Sequence, residues 1–281
     1  MNTILVATDF SKNCEASILY GLKLAQTLNA EVELLNSFVT VPAIGIDGGP
    51  GIVNETVTET GMNAHKEKLA ALIQSLPEEY TEGVPIKATV SSGDPVYCIC
   101  DHVDNNDIDL VIMGTHGESR LEEMLFGSTT VDVMRQAKCP VLAIPPDAKF
   151  EGINKIVYAS DLEKKDIETI KHLCEFASVF DSEVVVFHVF SEDNLTNQEE
   201  ADEFTLMLNK EVHYPKLKKE SVTYQTTYNA ILDVIKKDAA NLIVMREQER
   251  GVFYKLFHVD MVKRINFHTT IPLLAYNDNS L

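Results

Sequence analysis

Gly114, Gly117 and Gly127 stand at the spacing Gly-x2-Gly-x9-Gly, and Ser128 and Thr129 follow the last of them directly. Residues of these types can hold a phosphate. Glycines let the backbone come close to an anion, and the N–H groups at a helix start point toward it. The hydroxyls of Ser128 and Thr129 add donors, and the helix dipole adds about 0.3–1 kcal/mol per exposed charge. No Gly-Lys-Ser/Thr follows, so this is not a Walker A loop, and it is not GxGxxG either. Asp9 ends the apolar run Thr3 to Thr8. Its carboxylate could accept a hydrogen bond from a ligand at the strand end, or it could cap the helix that follows. Arg120 is the only Lys or Arg between Gly114 and Gly127. It suits a phosphate contact and a solvated loop equally. His116 could orient a water, and a solvated loop histidine fits the same place. Cys98, Cys100 and His102 form a C-x-C-x-H string. On a helix the i and i+2 side chains diverge by roughly 200°, which is poor for shared metal ligation.

The elements that must position these residues are legible as apolar runs. Leu110 to Met113 reads as a buried parallel strand, and Pro140 to Ile144 as another. Thr3 to Thr8 is continuously apolar, as a central strand covered on both faces should be. Ser11 is placed to cap a helix in which Ile18, Leu22, Ala25 and Leu28 recur at helical spacing, and Asn29 marks its stop. Glu31 to Phe38 is a second strand. A Gly/Pro-rich stretch, residues 39–51, reads as a long loop. Asn54 to Leu76 is helical and Pro77 stops it. Pro85 to Ser91 is a third strand. Asp94 can then cap a helix with Pro95 at its first position. Five strands alternating with four helices predict an α/β fold, a parallel sheet with helices on both faces.

After Pro145-Pro146-Asp147 the plan restarts. KIVYASDLE (Lys155 to Glu163) echoes ILVATDFSK and sets Asp161 where Asp9 stood. EVVVFHVF echoes the second strand, NLIVM echoes DLVIM, and IPLLA echoes CPVLA. This is an internal duplication, with domains expected at residues 1–147 and 152–281. The second copy departs from the glycine pattern. Gly114 becomes Arg246 and Gly117 becomes Glu249. Gly127 becomes Val259 or His258, and Ser128 becomes Asp260 or Val259. Acidic residues there would repel phosphate and side chains would block the backbone, so the second copy is expected not to bind the ligand of the first.

Net charge is −19 over 281 residues, most of it in residues 1–148. So acidic a surface repels nucleic acid and anionic lipid, and neither is an expected partner. No apolar run approaches bilayer length, and the N-terminus lacks an export signal pattern, so a cytoplasmic protein is expected. The five cysteines include no CxxC pair, as suits thiols packed in a reducing compartment.

With ATDFS (Ala7 to Ser11), Gly93-Asp94-Pro95 and Gly-x2-Gly-x9-Gly-Ser-Thr in one unit, the chain resembles the universal stress protein family in its tandem form. The resemblance implies two doubly wound domains, each a five-stranded parallel sheet of order 3-2-1-4-5. It implies ATP as ligand, with Mg2+ as an optional companion. By the resemblance, Thr8 and Asp9 lie at the adenosine end and the backbone around Ser37 and Phe38 walls the adenine. Met113, Gly114 and Gly117 pass close to ribose and phosphate, Arg120 is within reach, and Gly127, Ser128 and Thr129 hold the phosphates. The family often pairs through its fifth strand. The two halves are therefore expected to pair within the chain, and a homodimer is open. The loop has no lysine and no carboxylate pair suited to Mg2+, so the chain is expected to hold ATP, turning it over slowly or not at all. Two rival readings remain: a slow ATPase or nucleotidyl enzyme, and a structural regulator that has lost its nucleotide.

Overall fold

The computed structural model describes residues 1–40, 55–115, 127–191, 198–224, 227–247 and 271–280. Its first five strands are β1 (Thr3–Ala7), β2 (Glu31–Phe38), β3 (Ile86–Ser92), β4 (Leu110–Gly114) and β5 (Val141–Ile144). Helices α1 (Asn13–Leu28), α2 (Glu55–Ser75), the short α3 (Glu78–Thr81), α4 (Pro95–Asn105) and α5 (Ser128–Gln136) connect them. The second half repeats the order with β6 (Lys155–Ala159), α6 (Lys164–Val179), β7 (Glu183–Ser191), α7 (Gln198–Glu211) and β8 (Leu217–Tyr224). It continues with α8 (Thr227–Asp238), β9 (Leu242–Arg246) and β10 (Leu273–Tyr276).

All ten strands form a single sheet, in the order β3-β2-β1-β4-β5-β10-β9-β6-β7-β8. Each half therefore has the expected order 3-2-1-4-5. Pairing is parallel within each half and antiparallel where β5 meets β10. The two five-stranded sheets join edge to edge at their fifth strands into one continuous sheet. The central strands explain this, because Leu110–Gly114, Val141–Ile144, Leu242–Arg246 and Leu273–Tyr276 are buried at every position. A strand apolar on both faces needs a layer on each side and a neighbour at each edge.

Two apolar cores lie on the two faces. One packs Ile18, Leu22 and Leu69 with Ile170, Leu173 and Phe204, from α1, α2, α6 and α7. The other packs Ile99, Val133 and Met134 with Ala230, Ile231 and Val234, from α4, α5 and α8. A fully buried leucine of this kind contributes about 1.5–3 kcal/mol relative to an exposed one.

The helix boundaries show local chemistry at work. Asp94 caps α4, its Oδ1 accepting from the N–H groups of Val96 (3.0 Å) and Tyr97 (3.1 Å), with Pro95 at the first position. Asn29 ends α1 in the left-handed conformation, φ 53°. The expected Ser11 cap is not formed. Asp9 Oδ1 accepts from the Ser11 N–H (2.9 Å), and Ser11 Oγ lies 3.6 Å from the Cys14 thiol. The chain leaves β1 through Phe10 at φ 63° and leaves β6 through Leu162 at φ 65°. The same unusual conformation in both halves marks it as part of the fold and not as a ligand device.

Candidate functional site

Strand order decides where a ligand can sit. From β1 the chain moves outward to β2 and β3, then returns to the other side of β1 for β4. Helices on either side of that reversal diverge, leaving a crevice at the carboxyl ends of β1 and β4. Thr8 and Asp9 follow β1, Met113 and Gly114 end β4, and Ser37 and Phe38 end β2. The start of α5 reaches the same edge, because the Gly127 N–H donates to the Thr115 carbonyl at 2.7 Å. Thr130 Oγ1 donates to the Gly114 carbonyl at 3.0 Å and pins the helix to the strand. Of the expected residues, Thr8, Asp9, Ser37, Phe38, Met113, Gly114, Gly127, Ser128 and Thr129 share this sheet edge. Gly117, Arg120 and His116 lie outside the described residues.

The start of α5 is electrophilic and lacks a side-chain cap. Gly127 occupies the N-cap in extended conformation (φ −62°, ψ 150°) and offers no side-chain acceptor. The N–H groups of Ser128, Thr129 and Thr130 have no intrahelical partner by helix geometry. Ser128 is exposed and Thr129 half-buried. At α4 the same need is met by Asp94. At α5 an anion can meet it.

The other end of the crevice is more occupied than sequence suggested. Asp9 Oδ1 accepts from the Ser11 N–H in a turn ahead of α1 and lies 3.0 Å from the Cys14 thiol, while α1 itself has no side-chain cap. Burial, then the Asp9 hydrogen bond, push the Cys14 thiol up to about 11. The Phe38 carbonyl accepts from the Gly93 N–H at 2.9 Å. Gly93 has φ 150°, and a Cβ there would sit 3.1 Å from Cys98 Sγ, which explains the glycine of Gly93-Asp94-Pro95. Phe38 stacks on His65 of α2, centroids 4.6 Å apart and planes 17° apart, with Phe10 5.9 Å from the same imidazole. A Cβ on Gly61 would come within 2.8 Å of the Phe38 ring.

Sequence reasoning missed three residues here. Asn36, buried on β2, donates from Nδ2 to the Thr8 carbonyl (2.8 Å) and meets His65 Nδ1 through Oδ1 (2.7 Å). His65 therefore carries its proton on Nδ1. Burial and, to a lesser degree, Lys68 lower its pKa, so the imidazole is neutral near pH 7. The third is Thr130. A polar residue inside the apolar run EVELLNSF and a third hydroxyl in GSTT were the available signals; nothing in the sequence marks His65.

The C-x-C-x-H residues disperse. Cys98 is buried below Gly93, Cys100 is half-buried, and His102 Nε2 faces Glu33 Oε1 at 3.1 Å. No cluster of three or more potential metal ligands occurs among the described residues.

In the second half the end of β9 carries a buried ion network. Arg246 ends β9 where Gly114 ends β4, and its side chain is 3% exposed. Its Nε donates to Asp166 (3.2 Å), its Nη1 to Asp278 (2.9 Å) and its Nη2 to Glu163. Asp166, equally buried, also accepts from Tyr158 Oη (2.9 Å), Ser160 Oγ (2.7 Å) and the Asp161 N–H (3.0 Å). Burial and the neighbouring Asp166 push the Tyr158 hydroxyl well above its ordinary value, which keeps it a donor. Thus Asp161 survives from the motif, while a guanidinium and three carboxylates meet at the end of β9. Glu249, His258, Val259 and Asp260 lie outside the described residues.

Comparison with known proteins agrees with this architecture. Over 148 residues the chain is 28% identical to a universal stress protein of Methanocaldococcus jannaschii, covering 52% of this chain and 83% of that one. Over 145 residues it is 26% identical to the universal stress protein YxiE of Bacillus subtilis, covering 51% of this chain and 98% of that one. The crystal structure of a universal stress protein from Archaeoglobus fulgidus superposes with a TM-score of 0.72, covering 98% of both chains at 18% identity, a likeness of fold alone. The model of the universal stress protein family matches residues 1–145, and on that match the chain belongs to the universal stress protein family.

Proposed function

We propose that this protein binds ATP in a first domain, residues 1–147, and that its second domain, residues 152–281, is a companion that binds no nucleotide. The observation that carries the reading is a contrast. In the first half a helix start with a glycine N-cap stands beside Gly114 at the end of β4, and in the second half Arg246 with three carboxylates takes the position of Gly114 at the end of β9. Ser128, Thr129 and Thr130 supply N–H and hydroxyl donors to the phosphates, and Gly114 and Gly127 keep the crevice free of side chains. Thr8, Asp9, Ser37 and Phe38 bound the adenosine end. Bound ATP, with or without Mg2+, supplies only its charge and its base to this recognition.

The chain's part is holding, with slow turnover at most, since a phosphoryl-transfer site needs a positioned base and neutralising cations. The two domains pair within one chain as family members pair in a dimer, and a further homodimer remains compatible. A stress-response or signalling role in the cytoplasm suits five free cysteines, with Cys139 and Cys174 pushed up to about 12, chiefly by burial. Among the described residues no helix is long and apolar enough to cross a membrane.

The test is to denature the purified full chain, identify any small molecule released, and titrate ATP against the stripped protein. About one adenine nucleotide per chain is expected, lost in Gly127→Val because the added branches project into the phosphate seat. Absence of any released nucleotide together with no heat of binding would overturn the reading. Multiple-turnover phosphate release that disappears in Gly127→Val would replace it with an ATPase.

A further inference from the structure

We propose that Asn277, in the second half, is a positioning residue for the phosphate-binding start of α5 in the first half. The inference rests on the nucleotide reading above. Asn277 directly follows β10 and is 2% exposed. Its Nδ2 donates to the carbonyls of Met134 and Ala137, both at 2.8 Å. These carbonyls belong to the end of α5, where helix geometry supplies no partner. The rest of Asn277 is fixed too. Its Oδ1 accepts from the Asn279 N–H (2.7 Å), its N–H donates to Ser280 Oγ (2.8 Å), and its carbonyl accepts from Ser280 Oγ (2.9 Å). A second contact crosses the halves beside it, Arg135 Nε to Glu247 Oε1 at 3.4 Å.

Helix α5 has nine residues, so the Asn277 end and the Gly127 end are about 13 Å apart on one rigid rod. Thr130 ties the front of the rod to Gly114, and Asn277 ties the back to the second half. Without the amide, two buried carbonyls lose their donor and the last turn frays. In so short a helix, fraying loosens the aim of the N–H groups at Ser128, Thr129 and Thr130. The clamp also runs one way. Aligned on the last strand of each half, the counterpart of Asn277 is Pro145, which has no side-chain donor. The second half thus braces the helix of the first. By linkage, a phosphate bound at one end of α5 tightens the docking of 277–280 at the other.

Titrations of the full chain with ATP and with adenosine, on wild type, Asn277→Ala and Asn277→Asp, test this. ATP affinity should fall about fivefold or more in Asn277→Ala. It should fall further in Asn277→Asp, whose carboxylate cannot donate and repels the helix's negative end. Adenosine affinity should stay within about twofold, because it makes no phosphate contact. A purely structural role would lower both ligands equally. That result, or unchanged ATP affinity in a folded variant, overturns the inference while leaving nucleotide binding intact. A wild type that binds neither ligand overturns the parent reading and this one with it. Should the variants not fold, hydrogen exchange on wild type decides. Saturating ATP should slow the Asn279 and Ser280 amides about threefold or more, and no slowing overturns the proposal.

Discussion

Arg246 shows what one substitution does at a strand end. Where Gly114 leaves space, Arg246 brings a buried cation, and three carboxylates gather round it. Asp166 is the decisive partner, since it is 2% exposed and would otherwise be a lone buried anion. Removing one member of such a pair costs far more than the pair contributes, because the remaining charge stays buried. Arg246→Met should therefore lower stability to urea by about 3–5 kcal/mol. Adding Asp166→Asn should return a large part of that loss, because a neutral amide can still bond Tyr158 and Ser160. A loss below about 1 kcal/mol in the single variant would mean that water already reaches Asp166. Glu163 and Asp278, about half exposed, should each matter much less.

At the scale of elements, the second half ties three strands together by charge. Glu183 opens β7 and pairs with Lys155 of β6 at 2.9 Å and with Lys218 of β8. Those hydrogen bonds, Lys218 first and Lys155 next, hold the Glu183 pKa below its ordinary 4.5. A carboxylate with a lowered folded pKa contributes stability that is present above its unfolded pKa. That stability is lost as pH falls through the folded value. Glu183→Gln should therefore lower the urea midpoint at pH 7 modestly, by about 0.2–1 kcal/mol equivalent. Below about pH 4.5 the gap to wild type should close, and parallel pH profiles would disprove the ladder.

Such elements differ in how far sequence reveals them. β1 and β4 were legible because a buried parallel strand is a continuous apolar run, and the Asp94 cap because its partners are two and three residues away. The Ser11 cap failed because Asp9, two residues earlier, competes for the same turn. The Phe38–His65 stack and the Asn277 clamp were invisible, since they join residues far apart in the chain with no periodicity linking them. The glycine contrast between the halves was legible. The ion network that replaces the glycine was not, because the carboxylates at the start of α6 and the one beyond β10 converge on Arg246 only once the chain is folded.

The whole molecule is organised about the β5–β10 joint. Leu142 pairs with Leu274, Val141 with Ala275, and Ala143 with Leu273. Leu142 and Leu274 are also equivalent positions of the two copies, CPVLA and IPLLA. Equivalent strands that meet antiparallel at equivalent residues are related by a two-fold axis, the arrangement of an isologous dimer. The outer edges differ from the joint. β3 and β8 expose Lys87 and Lys218, Lys219, the kind of charge that discourages further strand addition. Residues 1–147 expressed alone would keep β5 but lose β10, leaving a fully apolar edge. That edge can pair with its own copy in the same register, Leu142 against Leu142. Sedimentation at roughly 10–100 µM should therefore find the fragment dimeric. Ala143→Pro should make it monomeric if the Ala143 N–H faces the new partner, and Leu142→Lys should do so regardless, by setting like charges against each other across the axis. A fragment that stays folded and monomeric would show that the covalent link, and not the strand edge, holds the halves together. In the fragment dimer Pro145 stands where Asn277 did, so the back of α5 has no amide clamp. Its preference for ATP over adenosine should be weaker than that of the full chain, which ties the joint to the phosphate seat.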